Sequence, residues 1–243
     1  MEITVLGSGG AFSPDRNPSG YAVTLGKRTL VFDLGYGNVR ALQRAKIPLE
    51  SITDVFISHR HPDHCADIAA LLFAFRYTLK PRTGTLRLWG PKEFSTFVRR
   101  LRRAHEPWCS PRGYALEVRE IGKGTVFAED WSVQSLPVPH PTPALAYRLS
   151  YKGKTFVYSG DTGFNTALPD FAADADLFLL ECASSEAEAF EGHLTPRLAV
   201  AMLSASNCRL GALTHVNPPA LAELRRLKGK KYPVVRDGQR FTL

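Results

Sequence analysis

Short apolar runs recur along the chain, and several stop at a polar or glycine-rich segment. Residues 2–6 form such a run, ending at Gly7-Ser8-Gly9-Gly10. Residues 21–25 and 29–32 flank Gly26-Lys27-Arg28 and predict a hairpin. Residues 54–57 predict a further strand, which runs into Ser58-His59-Arg60-His61-Pro62-Asp63-His64. Beyond it Ile68, Leu71, Leu72 and Phe75 recur at helical spacing, with Asp63 as the expected cap. Residues 38–45 and 93–104 predict two more helices, the second with Phe94, Phe97, Val98 and Leu101 on one face. Strands are expected at residues 131–138, 145–149, 155–158, 177–180 and 210–213. Residues 195–205 predict a helix with Pro196 in its first turn. Strands and helices alternate irregularly, without short repeats or low-complexity segments. The expected class is α/β, with sheets covered by helices.

The chemistry concentrates in H-x-H-x-D-H at residues 59–64, three imidazoles and a carboxylate just past an apolar strand. Neutral imidazole and carboxylate suit zinc, manganese or iron(II). On extended chain His59 and His61 point the same way, and the turn at Pro62 can aim Asp63 and His64 at a second position nearby. That arrangement predicts one ion held by His59 and His61 and another by Asp63 and His64. His140, Asp161 and His215 each follow an apolar strand, where a rigid sheet edge can fix a ligand in place.

The 243 residues suit one domain spanning 1–243, with a well-buried core. No apolar run approaches the roughly 18 residues of a membrane helix, and the start has no basic segment of the secretory kind. Cys65, Cys109, Cys182 and Cys208 form no C-x-x-C pair, so reduced thiols and a cytoplasmic protein are expected. Cys65 and Cys182 read as packing residues beside the site. The net charge of +8, from 31 basic and 23 acidic residues, favours an anionic small-molecule or nucleic-acid substrate. Arg99, Arg100, Arg102 and Arg103 read as the solvated face of an amphipathic helix, or alternatively as a phosphate-binding patch. Residues 228–231 read as a solvated turn, and His105 as a surface or structural residue.

His59-x-His61-x-Asp63-His64, a later His, an Asp within Ser159-Gly160-Asp161-Thr162 and a His after a terminal strand together resemble the metallo-β-lactamase superfamily. Gly7-Ser8-Gly9-Gly10 and residues 30–35 resemble that family's first strands, and the likeness runs from Met1 to about Pro219. The resemblance implies an αββα four-layer sandwich of two mixed β-sheets flanked by helices, with metals at one sheet edge. It implies that His59, His61 and His140 hold one divalent ion, that Asp63, His64 and His215 hold the other, and that Asp161 bridges them. Zinc is the first expectation, manganese or iron the alternatives. A homodimer is implied by the resemblance alone.

Three features narrow the chemistry. Asp161 stands where zinc β-lactamases carry Cys. Glu181, ending an apolar strand, and His193, before Leu194-Thr195, resemble a pair that phosphodiesterases of the ribonuclease Z branch place beside the metals. The segment at residues 58–67 resembles short bacterial members of that branch, some of which hydrolyse cyclic nucleotides. The expected activity is phosphodiester hydrolysis of a cyclic nucleotide, another small phosphodiester or RNA. Asp63 would orient the water, and His193, oriented by Glu181, would stabilise charge or protonate the leaving alkoxide. Asp33 or Asp67 would fix ligand imidazoles from behind. Ribonuclease Z itself carries a long arm between the His140-type and Asp161-type strands. This chain has only 20 residues there, which weakens a tRNA-processing reading. Lactone, ester or thioester hydrolysis with the same metals is the rival chemistry. A metal-containing nucleic-acid-binding protein is the rival without turnover.

Overall fold

The computed structural model describes residues 1–78, 82–227 and 232–243. Strands β1 (Glu2–Gly7), β2 (Gly20–Leu25) and β3 (Arg28–Leu34) form an antiparallel meander. Strands β4 (Ile52–Phe56), β5 (Thr85–Gly90) and β6 (Ala115–Glu120) extend it in parallel. In the second sheet β7 (Gly124–Phe127), β8 (Trp131–Val138), β9 (Ala144–Tyr151) and β10 (Lys154–Tyr158) pair antiparallel, and β11 (Leu177–Glu181) and β12 (Gly211–Thr214) continue parallel to β10. Strand β13 (Arg240–Thr242) pairs with the free side of β1, giving sheets of seven and six strands.

Successive strand residues point to opposite faces, so strands buried on both sides read as unbroken apolar runs. Val23, Phe32 and Phe56 face inward and meet Trp131, Tyr147, Leu149 and Phe156 of the second sheet. Their neighbours Ala22, Val31 and Val55 face outward. There they pack on helices α1 (Asn38–Arg44), α3 (Ile68–Tyr77) and α4 (Phe94–Ala104), through Leu42, Leu71, Leu72, Phe75, Phe94 and Val98. Val157, Phe178, Leu180 and Leu213 cover the outer face of the second sheet. They pack on α5 (Ala167–Phe171), α6 (Pro196–Ala205) and α7 (Pro218–Arg226). The fold is the expected αββα sandwich. At about 1.5–3 kcal/mol per buried large apolar side chain, three apolar layers hold the strand ends rigidly.

The short helix α2 (Pro62–Cys65) corrects the expected role of Asp63 as a helix cap: it lies inside α2, and Asp67 precedes α3. Strands β5, β6, β7 and β13 and helices α5 and α7 were not expected from the sequence. Residues 228–231, expected as a turn, lie outside the described residues. No helix of the described residues is long and apolar enough to cross a membrane.

Candidate metal centre

Strands β8, β10, β11 and β12 share one direction, and β3 and β4 run parallel to each other. The segments just beyond β4, β8, β10 and β12 carry His59 to His64, His140, Asp161 and His215. Each candidate therefore leaves the sheet where its strand stops, and these strand ends meet at one edge of the sandwich.

Asp161 is central. Its Oδ2 lies 3.6 Å from His59 Nε2, 3.2 Å from His64 Nε2 and 3.3 Å from His215 Nε2. Asp63 Oδ2 sits 3.6 Å from His64 Nε2 and 3.9 Å from His215 Nε2. His61 Nδ1 and His140 Nε2 face each other at 3.3 Å. Donor atoms of His59, His61, His140 and Asp161 lie within 4.8 Å of one another, and so do those of Asp63, His64 and His215. The structure thus brings together all seven residues expected as ligands, in the two expected groups.

The outer nitrogens of four of the five rings are tied down. Asp33 accepts hydrogen bonds from the Ser58 N–H (2.6 Å), the Ser58 hydroxyl (2.7 Å), His64 Nδ1 (2.7 Å) and the Tyr158 hydroxyl (2.6 Å). Ser58 gives its one proton to Asp33, so its oxygen accepts from His59 Nδ1 at 3.0 Å. His140 Nδ1 donates to the Gly192 carbonyl (3.0 Å), and His215 Nδ1 lies 2.9 Å from Ser19 Oγ. Gly192 has φ +79, and a Cβ there would stand 2.8 Å from His140 Nδ1, so glycine is required for this approach. Fixing Nδ1 in this way leaves Nε2 for a cation.

His59 Nε2, His64 Nε2 and Asp161 Oδ1 are buried without a hydrogen-bond partner. Each such atom costs about 1–3 kcal/mol, and here all three belong to the same cluster. A hard or borderline divalent cation satisfies that donor set. Burial pushes the His59 imidazole well down, with help from His64, and also lowers His61 and His140. These rings stay neutral, the form that ligates. Burial raises Asp161, but His215, His64 and His59 outweigh it and hold the carboxyl well below its ordinary range. Burial disfavours charge on His64, yet Asp161 and Asp33 raise it well above the usual imidazole value. Cations in the cluster would displace the protons that now balance this charge.

Glu181 and His193 stand beside the cluster. Glu181 Oε1 accepts from the Thr162 N–H (3.1 Å) and His193 Nδ1 (3.0 Å), and Oε2 accepts from the Ala183 N–H (2.8 Å). His193 Nδ1 is 3.9 Å from Asp161 Oδ2. Burial works against charge on His193, but the bond to Glu181 and its charge raise the imidazole to about 9. A cavity of about 390 Å³ opens over the cluster, with Phe12, Phe190, His193 and Asn217 in its wall. A larger cavity of about 630 Å³, beside Arg16, Arg44 and Asp237, contains none of these groups.

Several supporting residues carried no signal in the sequence: Ser19, Ser58, Tyr158 and the Gly192 carbonyl. Asp67 does not hold an imidazole as expected. It accepts the Val39 N–H at 2.8 Å and so serves the start of α1, and Asp33 alone takes the expected role. Cys65 and Cys182 are buried, and burial lifts the Cys65 thiol to about 12 and raises Cys182 as well, which suits packing. Arg99, Arg100 and Arg103 lie on the exposed face of α4, and His105 is exposed at its end.

A model of the metallo-beta-lactamase superfamily matches residues 14–201. Ribonuclease Z of Pyrococcus horikoshii is 33% identical over 156 residues, 63% of this chain but only 49% of that protein. Ribonuclease Z of Pyrococcus furiosus is 27% identical over 90% of this chain and 87% of its own length. Among solved structures, the short form of human tRNase Z superposes with a TM-score of 0.82 and 20% identity, covering 100% of this chain and 99% of that one.

Proposed function

This chain belongs to the metallo-β-lactamase superfamily, and from that premise we propose that it hydrolyses phosphodiesters at two divalent cations, zinc first, on a cyclic nucleotide, another small phosphodiester or RNA. His59, His61 and His140 would hold one cation and Asp63, His64 and His215 the other, with Asp161 between them. The cations would lower the pKa of a water and clamp the phosphate oxygens.

The observation that carries the reading is the Glu181–His193 pair. Its 3.0 Å hydrogen bond aims the imidazole, and Glu181 raises the ring's proton affinity. A cation fixed there, beside Asp161, suits negative charge building on a phosphoryl group and can deliver a proton to a departing alkoxide. Asp63 would accept a hydrogen bond from the attacking water and align it. Carboxyl-ester hydrolysis requires no such pair. Within the ribonuclease Z branch, β9 and β10 are joined by Lys152-Gly153 alone, both at positive φ, as in a tight hairpin. That favours small diesters over a substrate gripped by an arm.

The test is metal analysis of the purified protein, followed by turnover of bis(p-nitrophenyl) phosphate, cyclic and linear nucleotide diesters, and a lactone panel. Diester turnover that depends on bound metal is expected. Exclusive lactone or thioester turnover would overturn the reading. His193→Ala should lower kcat on the diester about 100- to 10,000-fold with metal content retained. Unchanged turnover with intact metal would take His193 out of the mechanism.

A further inference from the structure

Two phenylalanines in the wall of the metal cavity have no part in the chemistry above. Phe12 is 84% exposed and Phe190 58%. Isolated exposed apolar side chains are ordinary. These two are distinguished by place: they come from loops far apart in sequence, yet line one cavity together with His61, His140, His193 and His215. Their main chains are pinned while their rings are not. The Tyr36 hydroxyl donates to the Ala11 carbonyl (2.7 Å) and the Ser13 hydroxyl to the Val216 carbonyl (2.8 Å), holding the residues on either side of Phe12. The Phe190 N–H donates to Ser184 Oγ (3.0 Å), and its carbonyl accepts the His193 N–H (3.3 Å). Neither phenyl ring pairs with another aromatic ring among the described residues.

The charge of the cavity limits what fits it. Among the described residues no lysine or arginine lines it, although the chain carries a net charge of +8. Its own acidic groups are Asp63, Asp161 and Glu191. Cations held by the cluster and His193 are then the means of gripping an anion, which matches one diester charge better than a polyanion. The rest of such a substrate meets phenyl faces. A volume near 390 Å³ falls within the roughly 300–1,000 Å³ of small-molecule sites. Resting on the phosphodiester reading, we propose that Phe12 and Phe190 form a stacking subsite for the aromatic base of a nucleotide diester, and so select nucleotides over other diesters. Phenyl faces accept any base by stacking, so discrimination among bases is not expected from them.

The test measures binding by calorimetry to the zinc-loaded protein, with 5′-AMP and ribose 5-phosphate as probes. They share the phosphate and the sugar and differ in the base. AMP should bind at least about tenfold tighter than ribose 5-phosphate, and Phe12→Ala and Phe190→Ala should each shrink that gap about fivefold or more. Phe12→Trp should keep it, which separates stacking from loop damage. Equal affinity for the two probes in the unaltered protein, or a gap unmoved in both alanine variants, would overturn the subsite. Diester turnover without a gap would retire the subsite alone. A gap removed by the alanine variants in a protein inert on every diester would retire the hydrolytic reading and keep the subsite.

Discussion

Asp33 shows how much of the centre depends on a residue that binds no cation. It sits at φ 56 at the end of β3 and accepts four hydrogen bonds, two from Ser58 and one each from His64 and Tyr158. Through them it orients both His59 and His64. Asn is nearly isosteric and tolerates the left-handed backbone region, but it cannot accept from all four donors. Asp33→Asn should therefore weaken metal affinity about 10- to 100-fold, read by chelator competition, while circular dichroism shows the fold retained. Unchanged affinity would mean that the two imidazoles are held by packing alone. The candidate ligands themselves were legible because His59, His61, Asp63 and His64 crowd into six residues, and because His140, Asp161 and His215 follow apolar strands. Apart from Asp33, their supports were not, since Ser19 meets His215 across 196 residues and nothing in its local pattern marks the contact. Asp67 misled for the related reason that a carboxylate near a motif looks the same whether it serves a ligand or a helix start.

Elements were legible in proportion to how deeply they are buried. Strands β3, β4, β10 and β11 are covered on both faces, and their continuous apolar runs could be read. Strands β6, β7 and β13 lie at sheet edges with exposed, charged or short sequences, as edge strands often do, and α5 spans only five residues. The junction of β10 and β11 depends on Asp176. Its carboxylate accepts the Thr155 N–H (2.9 Å), Lys154 Nζ (3.3 Å) and Arg209 Nη1 (3.1 Å). Burial raises this carboxyl, but the Thr155 N–H and Lys154 hold it below its ordinary value. A depressed folded-state pKa adds stability above the unfolded value near 3.9, and that stability is lost as pH falls through the folded value. Asp176→Asn should cost about 1 kcal/mol at pH 7, and the difference from the unaltered protein should shrink in acid, as pH falls below the unfolded value near 3.9. Urea midpoints at pH 7 and in acid check this. A difference independent of pH would assign the effect to the amide's geometry rather than to charge.

For the whole molecule, the sandwich and its centre set opposing demands. Three apolar layers fix the strand ends, and those ends carry into one buried edge the imidazoles and carboxylates that resist burial. Without cations, His59 Nε2 and Asp161 Oδ1 remain without a hydrogen bond in the interior, so the folded state carries a penalty that the unfolded chain, with those groups in water, does not. A ligand bound only by the folded state adds RT ln(1 + [L]/Kd), about 4 kcal/mol per site at a thousandfold excess over Kd. For a chain of this length each kcal/mol is worth about 2–4 °C in Tm. Chelation verified by metal analysis should then lower Tm by about 8–16 °C for each site emptied, and zinc should restore it. The loss should be sharply reduced in Asp161→Asn, because one carboxylate lies within 3.6 Å of imidazole nitrogens from both ligand groups. On the proposed function, in which His193 meets the substrate and holds no cation, His193→Ala should keep the full loss. A Tm indifferent to metal removal would mean that the converging donors are stable without a cation, and the case for a metal-dependent hydrolase would fail with it.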